Sequence, residues 1–301
     1  MDCMLIEIHN HSDYHGYNVK RLLDNMDQYG IDISCLLSWE APASEVDPFI
    51  KANFSPFSDM PVPFERCVAY RDAAPDRFIL GFCPDPRRPD AISRLRAVVD
   101  LYDIQICGEL KLRMMYDNPD AIRMYRVCAE YGLPVLMHFD YDIPPEYRTC
   151  GEAEYPWPNY WYGGGIDVLE RVLKLCPETN FIGHAPGFWA HISHDEAYRT
   201  TGYPTGKVIP GGRIEQLLEK YPNLYCDISA GSGHTALDRD HENAKRFLTT
   251  WQDRVLYARD DFDNSHQEPI ENLGLKDEVK RKIYEGNARR ILRGGNKIPH
   301  F

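Results

Sequence analysis

Short apolar runs alternate with amphipathic stretches along the 301 residues of the chain. Runs rich in β-branched or aromatic residues lie at 4–9 (MLIEIH), 31–38 (IDISCLLS), 77–83 (RFILGFC) and 104–112 (IQICGELKL). Four more follow at 133–138 (LPVLMH), 179–184 (TNFIGH), 223–229 (NLYCDIS) and 254–260 (RVLYARD). They are bounded by Pro, Gly, Asn or Asp, as strands buried on both faces of a parallel sheet should be. Between them, VKRLLDNMDQYG, DAISRLRAVVDLYD, NPDAIRMYRVCAEYG, GIDVLERVLKLCP and GGRIEQLLEKYP carry apolar residues at helical spacing. Several of these stop at Gly or Pro just before the next strand, the usual punctuation of a helix end. Eight strands alternating with helices predict an α/β fold, a (β/α)8 TIM barrel that takes residues 1–301 as one domain.

An open doubly wound sheet would announce itself by a Gly-rich phosphate turn after its first strand, and here that place holds HNHSDYHG. The two glycine clusters, YGGGIDV and AGSGH, match neither the dinucleotide nor the P-loop spacing and read as flexible loops. Long connections at 40–63, 139–162 and 186–209 all follow a strand. In a barrel they crowd the C-terminal face, where chemistry resides.

A formal net charge of −12 argues against a nucleic-acid partner, because neutralising phosphates needs clustered Lys and Arg. No apolar run is long enough to span a membrane, and MDCMLIEIHN lacks the basic start of a signal peptide. A soluble, cytoplasmic protein is therefore expected. Nine cysteines occur with no CxxC pair, and several sit inside apolar runs, so reduced structural thiols are expected.

The chemistry lies in the polar residues that close the strands. His9 and His11, two apart, share one side of the first strand. The fourth strand ends in Glu109 and Lys111, the fifth in His138, the sixth in His184, and the eighth in Asp260 followed by Asp261. Any one of these reads equally as a structural histidine or a helix cap. Together they make a plausible shell for zinc or a similar divalent ion, with a position left for water or substrate.

At this point the sequence resembles the amidohydrolase superfamily, in the "amidohydrolase 2" branch that includes aminocarboxymuconate-semialdehyde decarboxylase. The resemblance rests on EIHNH (7–11), GELKL (108–112), LPVLMH (133–138), NFIGH (180–184), VLYARD (255–260) and EGNARRIL (285–292), in that order. It implies that His9, His11, His138 and Asp260 ligate one divalent metal, Zn2+ first and Mn2+ second, with Asp260 also the proton-transfer base. It implies that His184 faces the substrate as acid, base or polarising group. Lys111 stands where parts of the superfamily carry a carbamylated lysine, and here reads as a substrate or structural partner. Glu7 shares the parity of His9 and is expected to orient a ligand from behind. The branch often has Gly-Ser-Asp at the eighth strand, where this chain has Ala258-Arg259-Asp260.

Around this centre, Glu109, Lys111, Arg113 and His234 are the expected substrate-binding residues, and Arg113 or Arg148 would hold a carboxylate bidentately. Arg259 should point away from Asp260, between barrel and helices. His15, His191 and His194 read as rim or loop residues. The aromatic stretch Tyr155, Trp157, Tyr160, Trp161 and Tyr162 is open to two roles, pocket wall or subunit contact, and a homo-oligomer is left open with it. Three functions are in view: a metal-dependent hydrolase of a small amide, lactone or related carbonyl, a non-oxidative decarboxylase at the same site, and a ligand-binding barrel without catalysis. The intact set of polar strand ends favours the first two.

Overall fold

The computed structural model describes residues 3–46, 52, 61–140 and 162–298. Eight parallel strands follow in chain order: β1 Ile6–Asn10, β2 Ile33–Leu37, β3 Phe78–Gly81, β4 Cys107–Leu110, β5 Val135–His138, β6 Phe181–His184, β7 Leu224–Asp227 and β8 Val255–Leu256. Ladders join β1 to β3 and β4 to β8 in sequence order. Backbone hydrogen bonds bridge both remaining seams: Phe82 N donates to Ile106 O at 3.1 Å, and Ile8 N to Tyr257 O at 3.1 Å. The architecture is the (β/α)8 barrel that the alternation of runs predicts.

Inside the barrel, Ile33, Cys35, Ile79, Leu136, Ile182 and Leu256 pack into one cluster, while their neighbours Leu36, Leu80, Val135, Phe181 and Val255 join the layer beneath the helices. Alternation continues to the C-terminal ends of β5, β6 and β7, which turns His138, His184 and Asp227 toward the axis, while Asp260 lies four residues beyond β8 with φ 50°. Two strands break the rule. The β1 ladder loses register between Glu7 and Asn10, and the β4 ladder between Cys107 and Leu110. On β1 the interior residues are Ile6 and Ile8, so Glu7 lies on the outer side, and the break then brings His9 and His11 round to the axis. On β4 the same device swings Glu109 inward.

Helices α1 Val19–Tyr29, α2 Phe64–Ala73, α3 Ala91–Tyr102, α4 Pro119–Tyr131, α5 Ile166–Leu175, α6 Arg213–Lys220, α7 Ala230–Asp238 and α8 His241–Thr250 surround the strands. Their ends are chemically set. Asn18 and Asn118 cap α1 and α4 by accepting from Arg21 N and Asp120 N, and Gly30 and Gly132, both at φ 67°, end them in the left-handed conformation.

The glycine clusters differ from expectation. AGSGH is the first turn and a half of α7, where a Cβ on Gly233 would sit 2.2 Å from Ile228 O. Gly163, Gly164 and Gly165 all have φ above 80°, and the segment is pinned by Gly163 N donating to Met114 O and Tyr116 N donating to Gly163 O. Both are fixed pieces of backbone whose geometry glycine permits. No helix among the described residues is long and apolar enough to cross a membrane. Eight of the cysteines are described, and all eight are free thiols.

Candidate metal centre

Six side chains meet at the C-terminal mouth of the barrel. His9 Nε2 lies 3.3 Å from His11 Nε2 and 3.8 Å from Asp260 Oδ1, and His11 Nε2 lies 3.5 Å from the same oxygen. Glu109 Oε2 stands 3.4 Å from His11 Nε2. His184 Nε2 faces Asp260 Oδ2 and Glu109 Oε1, each at 3.8 Å. Candidate donor atoms fall into overlapping sets, His9–His184–Asp260, His9–His11–Glu109 and Glu109–His138–His184, each spanning no more than 4.8 Å.

Behind the centre, every imidazole has its Nδ1 engaged. Asp227 takes two of them, His9 at 3.0 Å through Oδ2 and His184 at 2.9 Å through Oδ1. His11 Nδ1 pairs with the Leu37 carbonyl at 2.9 Å, and His138 Nδ1 with Glu109 Oε1 at 2.7 Å. Ser229 Oγ closes the back of the site, 3.0 Å from both His184 Nδ1 and Asp227 Oδ1. With Nδ1 protonated toward these acceptors, the Nε2 lone pairs aim into one volume, the arrangement that orients metal-ligating imidazoles. Two buried atoms, His184 Nε2 and Asp260 Oδ1, have no hydrogen-bond partner there. A buried polar atom left so costs free energy unless something else satisfies it, and a cation does.

Burial pushes the His138 imidazole down to about 3, assisted by the charge of Lys111 and opposed by Glu109. Burial alone would raise the Glu109 carboxyl, but Lys111, His138 and His11 hold it well below the usual carboxylate range. Asp227 is likewise held low against its burial by His184 and His9. Burial works against a charged His184 and His11, yet Asp227 for the first and Glu109 for the second raise both. The centre is thus a fixed anionic field facing imidazole nitrogens, suited to a divalent cation.

The other expected residues divide. Lys111 Nζ lies over the Trp39 ring, 4.6 Å from its centroid, and 5.9 Å from that of Tyr162. Among the described residues no carboxylate comes within ion-pair distance of it. Arg113 stacks near Tyr162, and its backbone N–H donates to Glu45 at 3.1 Å. His234 is not among the converging donors; its ring packs edge-on to His266 with centroids 5.9 Å apart. His15 is exposed and stacked on Tyr14, His194 bonds the Gly211 carbonyl, and His191 is half-buried against Tyr198. Arg148 and the aromatic stretch, Tyr162 excepted, lie outside the described residues.

Glu7 lies on the outer side of β1, not on the side of His9. It does not touch His9, because the register break on β1 inverts the parity that the sequence suggests. Its carboxylate instead meets Arg259, Ser34 and Asn10 in the outer layer, where Arg259 also reaches Asn25 of α1. Asp227 is a site residue that the sequence does not single out: it is the last residue of β7, but in NLYCDIS it stands two positions before the end of the run. Ser229 and Trp39 are not singled out either.

Fold and site together define a class, the barrel enzymes with histidines and carboxylates gathered at the strand ends. The family model described as Amidohydrolase matches residues 26–294, and the chain belongs to that family, an enzyme of the amidohydrolase superfamily whose members generally use a divalent metal. The sequence matches none of the curated proteins. Among solved structures, an uncharacterized TIM-barrel protein from Bordetella bronchiseptica shares the fold at TM-score 0.64 and 16% identity, over 97% of this chain and 99% of that one. A dihydroxybenzoic acid decarboxylase from Polaromonas sp. JS666, with manganese and 2-nitroresorcinol bound, gives 0.58 and 15% over 96% of each chain. A probable 2-pyrone-4,6-dicarboxylic acid hydrolase from Acinetobacter baumannii gives 0.53 and 11% over 97% and 99%.

Proposed function

We propose that this chain hydrolyses a small carbonyl substrate, an amide, lactone or related compound, at a divalent metal centre. The observation that carries the reading is the common aim of donors whose rear atoms are all engaged, with His184 Nε2 and Asp260 Oδ1 buried and unpartnered. Donors about 2.1 Å from a tetrahedral ion stand about 3.4 Å apart, and His9, His11 and Asp260 are separated by 3.3, 3.5 and 3.8 Å. These three would hold the ion, with Glu109 shared between them and His138. Zn2+ is the expected metal and Mn2+ the alternative. A divalent ion there supplies Lewis acidity to the scissile carbonyl and to water.

The protein's own groups do the rest. Of the three carboxylates at the centre, Asp260 has 15% of its side chain exposed, against 2% for Glu109 and none for Asp227. It is the carboxylate that incoming water can reach, and it takes the proton and returns it to the leaving group. His184, whose imidazole the Asp227 carboxylate favours in its charged form, would then donate Nε2–H to the oxygen on which charge develops. Lys111 receives an anionic group of the substrate, its ammonium steadied over Trp39.

Lys111 also favours a second reading, non-oxidative decarboxylation of a small acid, since the same ammonium would grip the departing carboxylate. Metal analysis of the purified protein, then a panel of lactones, amides and aromatic carboxylic acids, tests both. Water-dependent cleavage supports hydrolysis and CO2 release supports decarboxylation. Turnover that survives complete metal removal sinks both. His9→Asn and Asp260→Asn are expected to abolish turnover.

A further inference from the structure

The ion pair between Glu7 and Arg259 takes no part in the proposed chemistry, yet it is fully buried, with both side chains inaccessible. Arg259 Nε donates to Glu7 Oε1 at 2.8 Å and Nη2 to Oε2 at 3.3 Å, while Nη1 donates to Asn25 at 3.0 Å. Ser34 Oγ and Asn10 Nδ2 complete the carboxylate's shell at 2.8 and 3.1 Å. Asn10 is the hinge of the arrangement. Its Nδ2 also donates to Asp261 O at 3.2 Å, and its Oδ1 accepts from the backbone N–H of His11 at 2.8 Å. Arg259 itself immediately precedes Asp260, whose N–H donates to His9 O at 3.1 Å.

A buried ion pair is weak evidence for stability, because desolvating two charges costs about what their attraction returns, and apolar replacements are often neutral. What the pair does have is direction. It sits across the β1–β8 seam, tied on one side to the His11 backbone through the Asn10 side chain and on the other to Asp260, the next residue after Arg259. We propose that Glu7 and Arg259, acting through Asn10, are positioning residues that set the separation of His11 and Asp260 at the metal centre. The inference rests on the metal reading above.

The test uses Co2+ as probe, titrated into chelator-treated protein and followed by its visible bands, which report donor number and geometry. Thermal unfolding is recorded alongside. The variants are Asn10→Ala, the double variant Glu7→Leu/Arg259→Met, and Arg259→Lys. Asn10→Ala and the double variant are expected to bind Co2+ roughly 10–100-fold more weakly, the usual cost of losing a group behind a ligand, with shifted bands and cooperative unfolding retained. Arg259→Lys, which keeps the charge, is expected to recover part of the affinity. Should the double variant fail to fold, Asn10→Ala, which leaves the ion pair in place, decides the matter. Wild-type affinity and bands in Asn10→Ala overturn the proposal alone. A wild-type protein that binds no Co2+ overturns the metal reading beneath it.

Discussion

Asp227 does with one carboxylate what two ordinary hydrogen bonds would do separately, fixing His9 through one oxygen and His184 through the other. Replacing it by Asn keeps the shape, removes the charge and leaves one oxygen for two ring N–H groups. Asp227→Asn is expected to weaken metal binding about 10–100-fold, read by chelator competition, with turnover falling in parallel. A second residue offers a pH test away from the centre. Burial lowers the His191 imidazole to about 4 from an ordinary 6.5. Between those values the unfolded chain binds the extra proton, so this contribution is whole above about 6.5 and is lost as pH falls toward 4. His191→Gln should flatten that part of the stability profile relative to wild type, measured by denaturant unfolding at successive pH values. At this scale the sequence displays His9, His138, His184 and Asp260 because each closes an apolar run, and His11 because it lies two residues beyond His9. It hides the true neighbours of Glu7, since a period-two argument fails wherever a strand slips register. Glu109 was visible as a strand-end carboxylate, but its place beside His11 depends on the second such slip.

The elements show how close packing at the mouth is achieved. β6 runs straight from His184 into the short turn Pro186–Trp189, which lies across the end of β5. A Cβ on Gly187 would stand 2.1 Å from Asp140 O, and one on Gly183 would stand 2.3 Å from the Phe188 ring. Gly187→Ala therefore meets backbone that must shift, and a loss of about 1–3 kcal/mol is expected, with Gly183→Ala milder wherever Phe188 can turn aside. Urea unfolding of the two variants checks the order. All eight strands are legible as apolar runs, because burial on both faces demands them. The helices are less so. α2 shows its buried face only through Phe64, Cys67 and Tyr70, and α7 begins in glycines that local propensity assigns to a loop. In both, tertiary packing overrides what the local composition suggests.

For the whole molecule, a barrel that gathers Glu109, Asp227 and Asp260 at one end concentrates negative charge where nothing apolar can offset it. An ion that binds the folded form and not the unfolded chain adds stability by mass action, about 4 kcal/mol when its concentration is about 1,000 times Kd. Chelation is therefore expected to lower the thermal midpoint by several degrees and readdition of Zn2+ or Mn2+ to restore it, measured by calorimetry. The same experiment on Asp260→Asn should show a smaller shift. An unchanged midpoint after verified metal removal would count against a resident ion.

Trp39 is buried, its indole N–H donates to Lys111 O at 2.6 Å, and the Lys111 ammonium rides on its ring. That places a natural chromophore in the electric field of the cation assigned to the substrate. An anion arriving at Lys111 changes that field, and the indole emission should move with it. The protein thus carries an optical gauge of occupancy, and ligands could be ranked by intrinsic fluorescence before any turnover assay exists, with Trp39→Phe as the silent control.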